Sequence, residues 1–252
     1  MSLMDKAVVT GQYANADRLQ ARISIHERYS RNKQPFGDWI VSHYALQPGE
    51  RVLELGCGTG SMWQGMTLPE GCHVTLTDFS AGMLETAKAN TSHLAADYAV
   101  ADAQAIPYPD ASFDVVIANM MLYHVPDIAQ ALREIRRVLK PGGRFFAATF
   151  GENGVVQAVA DMLGMCFDTN MRFTLQNGEG QLRAVFADVQ CHTREDALDV
   201  TDLGDLIAYL RSMQQMTALA DVPDETLLAA FRPRMRVGVL SLPKEYGLFV
   251  CR

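Results

Sequence analysis

The chain has 252 residues, and its 22 Lys and Arg against 29 Asp and Glu give a formal net charge of −7. With 48% hydrophobic and 20% charged residues it resembles an ordinary globular protein, which excludes an intrinsically disordered chain. The negative charge repels phosphate backbones and anionic lipids, so neither nucleic acid nor a membrane is an expected partner.

Residues 15–30 and 35–45 are predicted to be helical, and residues 1–45 are predicted to form an N-terminal helical cap. From residue 46 to 150, short apolar runs alternate with amphipathic segments. This alternation is typical of βαβ units, so a core with a parallel sheet is predicted here. The predicted strands are Arg51–Leu55, His73–Thr77, Asp97–Val100, Phe113–Ala118 and Arg144–Phe150, and a helix is predicted over Asp127–Lys140.

Residues 151–252 are predicted to be the C-terminal part of the same domain, with a helical lid at about 201–236. The hydrophobic pattern there predicts three helices, one strand and a terminal strand pair. The helices are Val155–Phe167, Thr201–Met216 and Asp224–Met235, and the strands are Val185–Cys191, Val237–Leu242 and Gly247–Cys251.

The five cysteines are widely spaced and none lies in a Cys-x-x-Cys pair, so neither a disulfide framework nor a metal site is expected. No apolar run approaches the ~18 residues that span a bilayer. The first residues also lack the basic and apolar regions of a secretory signal. A cytoplasmic location is therefore predicted.

A glycine-rich turn follows the first predicted strand. In an open α/β sheet, a ligand is expected at the carboxyl end of the strands, and glycines let the backbone approach it closely. A dinucleotide-binding turn would need glycine or alanine at position 61, where this chain has Ser61. A tight strand-to-helix turn without a ligand is the alternative. The segment reads Glu54-Leu55-Gly56-Cys57-Gly58-Thr59-Gly60.

Asp78 directly follows the second predicted strand, 18 residues beyond Gly60 (78 − 60). A carboxylate at this point can accept hydrogen bonds from both hydroxyls of a ribose, which suits NAD and S-adenosylmethionine equally. The alternative is that Asp78 caps the helix that starts near Ser80.

Two longer segments complete the pattern: Ala101-Asp102-Ala103-Gln104, and the run from Phe113 through Asn119, Tyr123 and His124 to Gly143. In this order and spacing, about residues 50–150 resemble the core of the class I S-adenosylmethionine-dependent methyltransferases. The resemblance implies an α/β fold with a Rossmann-like, seven-stranded, mostly parallel sheet and helices on both faces. It also implies an N-terminal helical extension and a helical insertion before the last strand.

The resemblance implies S-adenosylmethionine as cofactor, S-adenosylhomocysteine as product and no metal. By resemblance, Asp78 would hold the ribose, Asp102 would accept a hydrogen bond from the adenine amino group, and the region of Asn119 would flank the methionine portion. A flat base also needs an apolar face such as Phe79 or Met83. The predicted cofactor-binding residues are Glu54, Gly56, Cys57, Gly58, Gly60, Asp78, Phe79, Met83, Asp102, Ala103, Gln104, Asn119 and Met120.

His124 follows the fourth strand and is the candidate catalytic residue, because an imidazole can take a proton near neutral pH. Alternatively it fixes the loop or binds the cofactor carboxylate. On the N-terminal helix, Arg22, His26 and Tyr29 are spaced for one face, which with Tyr13 could cover the cofactor or could simply be solvated.

The predicted function is methyl transfer to a small-molecule acceptor by a monomer or homodimer. The alternatives are an NAD-dependent oxidoreductase of Rossmann type and a cofactor-binding module without catalysis. The sequence does not identify the acceptor or its reacting atom. The acceptor pocket is expected between residues 10–45 and the helices at 201–236, with side chains suited to an apolar lining at Tyr209, Met213, Met216 and Phe231.

Overall fold

A computed structural model describes residues 16–167 and 171–252. The chain divides into two units. Unit 1 consists of the described parts of Met1–Pro35 and Phe150–Met171, together with Arg194–Tyr246. Unit 2 consists of Phe36–Thr149, Arg172–Thr193 and Gly247–Arg252.

The strands of the described chain form a seven-stranded sheet in the order β3-β2-β1-β4-β5-β7-β6. Strands β1 to β4 lie wholly in unit 2. Four pairs of strands are parallel: β1 with β2, β1 with β4, β2 with β3, and β4 with β5. The seven-stranded Rossmann-like fold that the family resemblance implies is therefore confirmed. The strands are β1 Arg51–Leu55, β2 His73–Asp78, β3 Ala96–Val100, β4 Phe113–Ile117, β5 Leu139–Phe150, β6 Val189–Val200 and β7 Leu240–Cys251.

The helices belong to both units. Unit 1 contains α1 Ala16–Tyr29, α5 Val155–Leu163, α7 Leu203–Ser212 and α8 Asp224–Phe231, with 3-10 turns at Gln214–Leu219 and Arg232–Arg234. Unit 2 contains α2 Phe36–Val41, α3 Ala81–Asn90, α4 Ile128–Val138 and α6 Gly178–Arg183, with 3-10 turns at Ser61–Trp63 and Leu122–His124.

Unit 2 buries apolar side chains on both faces of its strands. Neighbouring residues of β1 illustrate this: Val52 packs in one cluster with Leu84 of α3, whereas Leu53 packs in the other with Leu132 of α4. Because alternate residues of a strand point to opposite faces, a strand that is apolar throughout requires cover on both sides. This layering places the ends of β1, β2, β3 and β4 at one edge of the sheet.

Unit 1 has a hydrophobic core of its own, to which α1 contributes Ile25 and α7 contributes Leu206 and Leu210. Met216 and Phe231, which the sequence offers as pocket lining, are 1% and 0% exposed and belong to this core. Both side chains therefore pack inside unit 1.

The sequence prediction is wrong for the last two strands. Residues 185–188 precede β6, which continues nine residues beyond the predicted end at Cys191. The predicted pair at the C-terminus is one continuous strand, β7, which starts at Leu240. The predicted helix over Thr201–Met216 is also shorter, because α7 ends at Ser212 before a 3-10 turn.

The other predicted helices agree with the structure to within a few residues, including α1, α4 and α8, whereas the short helix α6 was not predicted. The proposed segment boundaries at residues 45 and 150, and the lid at about 201–236, stay predictions. Within the described part of the chain, no helix is long and apolar enough to cross a membrane.

Candidate cofactor-binding site

The glycine turn after β1 has two kinds of glycine. Gly58 adopts a left-handed backbone (φ 57), and a Cβ built there meets no atom within 4 Å. Gly60 is also left-handed (φ 70), but its Cβ would lie 3.0 Å from Thr91 Cγ2 and 3.2 Å from Ala87 Cβ of α3. Gly58 therefore leaves space that a ligand can use, whereas Gly60 lets the turn pack against the helix.

Asp78 joins this turn to the start of α3. Its Oδ2 accepts a hydrogen bond from the Gly58 amide at 2.9 Å, and its Oδ1 accepts one from the Ser80 amide at 2.8 Å. The α3 cap is Ser80 itself, whose hydroxyl accepts from the Met83 amide at 3.4 Å. A carboxylate offers about four lone-pair sites. Asp78 can thus be held in place and still accept hydrogen bonds from a ligand.

Next to Asp78, the Phe79 side chain is 48% exposed, which is unusual for a large apolar residue. Met83, in the first turn of α3, is half-buried.

After β3, Asp102 Oδ1 accepts from both the amide and the Nε2 of Gln104 at 3.0 Å, and Gln104 Oε1 accepts from the Asp127 amide at 3.0 Å. The Gln104 side chain therefore links the β3 end to the start of α4, and Ala103 between them is buried.

Glu54 lies in a buried polar network behind the glycine turn. Its Oε2 accepts from Trp63 Nε1 at 2.5 Å, and Asn119 Nδ2 lies 3.5 Å from its Oε1. Asn119 Nδ2 also donates to the Tyr44 hydroxyl at 2.5 Å. Glu54 is only 2% exposed, and burial raises the pKa of its carboxyl to about 7. These bonds tie the end of β1 to the end of β4.

Two features of the β4 end point to a ligand. The Asn119 Oδ1 atom is buried and has no hydrogen-bond partner among the described residues. Met120 has a left-handed backbone (φ 52), which is uncommon for a residue with a side chain, and its amide donates to the Ala148 carbonyl at 2.9 Å. Strain of this kind concentrates at functional sites.

His124 ends the 3-10 turn after β4 and contacts Tyr123, with ring centroids 4.5 Å apart. Its Nδ1 is buried and has no hydrogen-bond partner in the described part of the chain. Burial lowers the pKa of His124 to about 4, so the imidazole is neutral at pH 7. No hydrogen bond between described residues connects it to the glycine turn, Asp78 or Asp102.

The predicted cofactor residues therefore occupy the ends of β1 to β4, and hydrogen bonds connect Gly58 with Asp78 and Glu54 with Asn119. Gly56 approaches the β4 end, since its Cβ would lie 2.9 Å from Met121 Cβ. Cys57 is buried, with its Sγ 3.7 Å from the Gly58 carbonyl. Their roles in binding stay predictions.

Sequence reasoning missed Trp63 and the hydroxyl of Tyr44, which complete the buried network. A signal exists for Trp63, because a buried indole N–H requires an acceptor and an acidic residue lies nine positions earlier. Among the residues whose placement the structure describes, no group of three or more His, Cys, Asp or Glu could hold a metal ion.

The Glu54 carboxyl leads to a prediction about stability. Its pKa is raised from 4.5 to about 7 on folding, so between these values the folded state binds more protons than the unfolded state. The stability of the wild type therefore falls as the pH rises through that window. Glu54→Gln cannot titrate, and it should gain ~1–3 kcal/mol of unfolding free energy relative to wild type between about pH 5 and 8. Urea unfolding at several pH values measures this difference, and a difference that does not change with pH would contradict the prediction.

Comparison with known proteins agrees with this geometry. Residues 53–147 match the methyltransferase domain family. The 27-O-demethylrifamycin SV methyltransferase of Amycolatopsis mediterranei is 32% identical over 181 residues, which cover 69% of this chain and 63% of that protein. The chain spans between about half and three fifths of the length of the curated relatives it matches.

Two solved structures share the fold. Phosphoethanolamine N-methyltransferase 2 of Haemonchus contortus, in complex with S-adenosylhomocysteine, aligns with a TM-score of 0.59 at 18% identity and covers 100% of this chain and 60% of that one. The [4+2]-cyclase SpnF aligns with a TM-score of 0.58 at 22% identity, over 100% and 97% of the two chains. The resemblance to class I S-adenosylmethionine-dependent methyltransferases is thus confirmed, and residues 53–147 form the matching domain.

Proposed function

We propose that this protein transfers a methyl group from S-adenosylmethionine to a small-molecule acceptor. The observation that carries the proposal is the Gly58–Asp78 hydrogen bond, which holds a carboxylate beside a turn that leaves open space at Gly58. The match of residues 53–147 to a methyltransferase domain supports the same conclusion.

The residues present suit this cofactor. Asp78 would accept hydrogen bonds from the ribose hydroxyls, the exposed Phe79 would cover one face of the adenine, and Asp102 would accept from its amino group. The buried, unpartnered Asn119 Oδ1 is an acceptor suited to the ammonium of the methionine portion. When bound, the cofactor supplies a methyl group already activated by its positively charged sulfur.

His124 is proposed to assist by taking a proton from the acceptor. Its neutral imidazole has the protonation state that a general base needs, although its lowered pKa makes it a weak base. Most of the rate enhancement is then expected from positioning, because a sulfonium methyl needs little further activation.

Two alternative functions can be distinguished from methyl transfer: an NAD-dependent oxidoreductase and a cofactor-binding module without catalysis. Ser61 lies where a dinucleotide turn needs glycine or alanine, and none of the comparisons described above supports an NAD-dependent oxidoreductase. A module that binds the cofactor without methyl transfer is kept as a second candidate, because a protein described as a cyclase has the same fold. A direct assay of methyl transfer distinguishes the proposed function from both alternatives.

A cytoplasmic location and action as a monomer or homodimer are part of the proposal. All five cysteines are free thiols, as a reducing compartment favours. A titration with S-adenosylhomocysteine, with NADH as the competing probe, tests the cofactor. Binding of NADH in preference to S-adenosylhomocysteine would overturn the proposed function.

A further inference from the structure

Two carboxylates of unit 2, those of Glu54 and Asp78, flank the glycine turn. Glu54 lies in β1, two residues before Gly56, and is 2% exposed. Asp78 reaches the turn through the hydrogen bond from the Gly58 amide. Burial is the main cause of the raised pKa of Glu54, and the charge of Asp78 is a further cause. The two carboxylates are therefore close enough to interact.

The donors that the structure describes for these two carboxylates are all neutral. Glu54 accepts from the Trp63 indole at 2.5 Å, and its other oxygen lies 3.5 Å from the Asn119 side-chain nitrogen. Asp78 accepts from backbone amides. Within the described part of the chain, no Lys or Arg forms an ion pair with Glu54 or is among the causes of its pKa shift. The protein thus places negative charge here without a positive charge to balance it.

Other carboxylates of unit 2 with little exposure are paired with a cation. Glu50 Oε1 lies 2.7 Å from Arg144 Nη2, and Glu134 Oε2 lies 2.8 Å from Arg137 Nη2, each carboxylate side chain being 16% exposed. Glu54 is buried more deeply than either. A buried carboxylate without a counter-ion lowers stability, so its presence at this turn is best explained by a positive charge that arrives with a ligand.

The proposed cofactor and its product differ by one positive charge. Both molecules carry an ammonium and a carboxylate, but only S-adenosylmethionine also carries a sulfonium. Transfer of the methyl group leaves a neutral thioether in S-adenosylhomocysteine. Because a buried charge is poorly screened by solvent, a carboxylate at the turn attracts the sulfonium without having to touch it.

We propose that the buried Glu54 carboxylate raises the affinity of the site for S-adenosylmethionine relative to S-adenosylhomocysteine by attracting the sulfonium. This inference rests on the proposed function and deepens it, because it gives the site a means of binding the cofactor and releasing the product. Trp63 and Asn119 act as positioning residues that hold the Glu54 side chain.

This selectivity should depend on pH, because Glu54 attracts the sulfonium only when it is ionised. Its pKa of about 7 means that the ionised fraction rises between about pH 6 and 8. Burial raises the pKa of the Tyr44 hydroxyl and of the Cys57 thiol, which keeps both groups neutral. Asp78 is the remaining charged group that faces Glu54. The affinity for S-adenosylmethionine relative to the product should therefore increase as the pH rises.

Calorimetry with both ligands on the full chain tests the proposal. The measured quantity is the dissociation constant of S-adenosylhomocysteine divided by that of S-adenosylmethionine, in which effects on the shared parts of the ligands cancel. In the wild type this ratio should rise at least about threefold from pH 6 to 8. In Glu54→Gln it should be at least about fivefold lower than in the wild type at pH 8 and should not change with pH.

Glu85→Gln is the matched control, because it makes the same substitution on an exposed side chain of α3 that pairs with Lys88 at 2.8 Å. Its ratio should stay within about twofold of the wild type at both pH values. A variant that only disturbs the fold would weaken both ligands together and leave the ratio unchanged. The pH dependence of the wild type is a second readout that requires no variant.

These measurements separate the inference from the proposed function. A wild-type ratio that falls or stays constant with rising pH would overturn the inference, as would an unchanged ratio in Glu54→Gln. If the wild type binds both ligands but shows either of these results, only the role of Glu54 fails. If it binds neither ligand, the proposed function fails and this inference fails with it.

Discussion

Gly58→Val should abolish most cofactor binding while leaving the protein folded. The space around the Gly58 Cβ position is free of protein atoms within 4 Å, so the added side chain would occupy the room needed by the ligand. The left-handed backbone at this position adds strain of ~1–2 kcal/mol. Isothermal calorimetry with S-adenosylhomocysteine should show a loss larger than the ~1–3 kcal/mol expected for Asp78→Ala, which removes a charged hydrogen-bond acceptor.

Gly60→Val provides the matched control for this prediction. Its side chain would collide with Thr91 and Ala87 of α3, so the variant should lose thermal stability as well as binding. If Gly58→Val bound the cofactor with unchanged affinity, the glycine turn would be only a turn and the site would lie elsewhere. An unchanged affinity in Asp78→Ala would likewise contradict the ribose assignment.

His124→Ala should lower turnover by ~10²–10⁴-fold and affect cofactor affinity much less, if the imidazole takes a proton from the acceptor. With a pKa of about 4, wild-type turnover should be flat above about pH 5 and fall as His124 is protonated at lower pH. The variant should lose that acidic limb. His73→Ala is the control, because the His73 side chain is 40% exposed and pairs with Asp97 of β3, apart from the predicted cofactor-binding residues.

A different result would assign His124 to positioning. In that case the cofactor affinity would fall with turnover, and the pH profile of the variant would keep the wild-type shape. Initial rates and dissociation constants measured on the same preparations distinguish the two roles.

Much of the core of unit 2 was predictable, because its short apolar runs and its helical periodicity mark strands and helices that the structure has. β1, β2 and β4 are apolar runs of strand length. Asp127 followed by Gln130 three positions later has the spacing of a capping box, and Asp127 caps α4 by accepting a 2.9 Å hydrogen bond from the Gln130 amide. In a capping box the Gln130 side chain would accept a hydrogen bond from the Asp127 amide. Here that amide donates to the Gln104 side chain. Such partners depend on the tertiary fold.

The central parts of β6 and β7, which the sequence prediction missed, have one feature in common. The inward positions of β6 include Arg194 and Asp196, and β7 carries Lys244, three charged residues whose side chains are less than 5% exposed. A polar run of this kind is typical of a loop or an exposed surface. The strands are hidden in the sequence because buried charges replace the apolar residues expected on the inner face.

The candidate site is likewise predictable where it depends on spacing along the chain, and not where it depends on contacts between distant residues. The glycine turn and the carboxylate at Asp78 follow from spacing along the chain, and their hydrogen bond confirms that the two segments meet. The bond between Asn119 and Tyr44 joins residues 75 positions apart, and no local pattern signals it.

Transfer of a labelled methyl group tests the central claim most directly. The full chain would be incubated with S-adenosylmethionine carrying a labelled methyl and with a small-molecule metabolite extract. We expect label in an extract compound, with one S-adenosylhomocysteine formed for each methyl transferred, and loss of both in Gly58→Val. Tight binding of S-adenosylhomocysteine with no label transferred to any compound would contradict the account and favour a cofactor-binding module without methyl transfer.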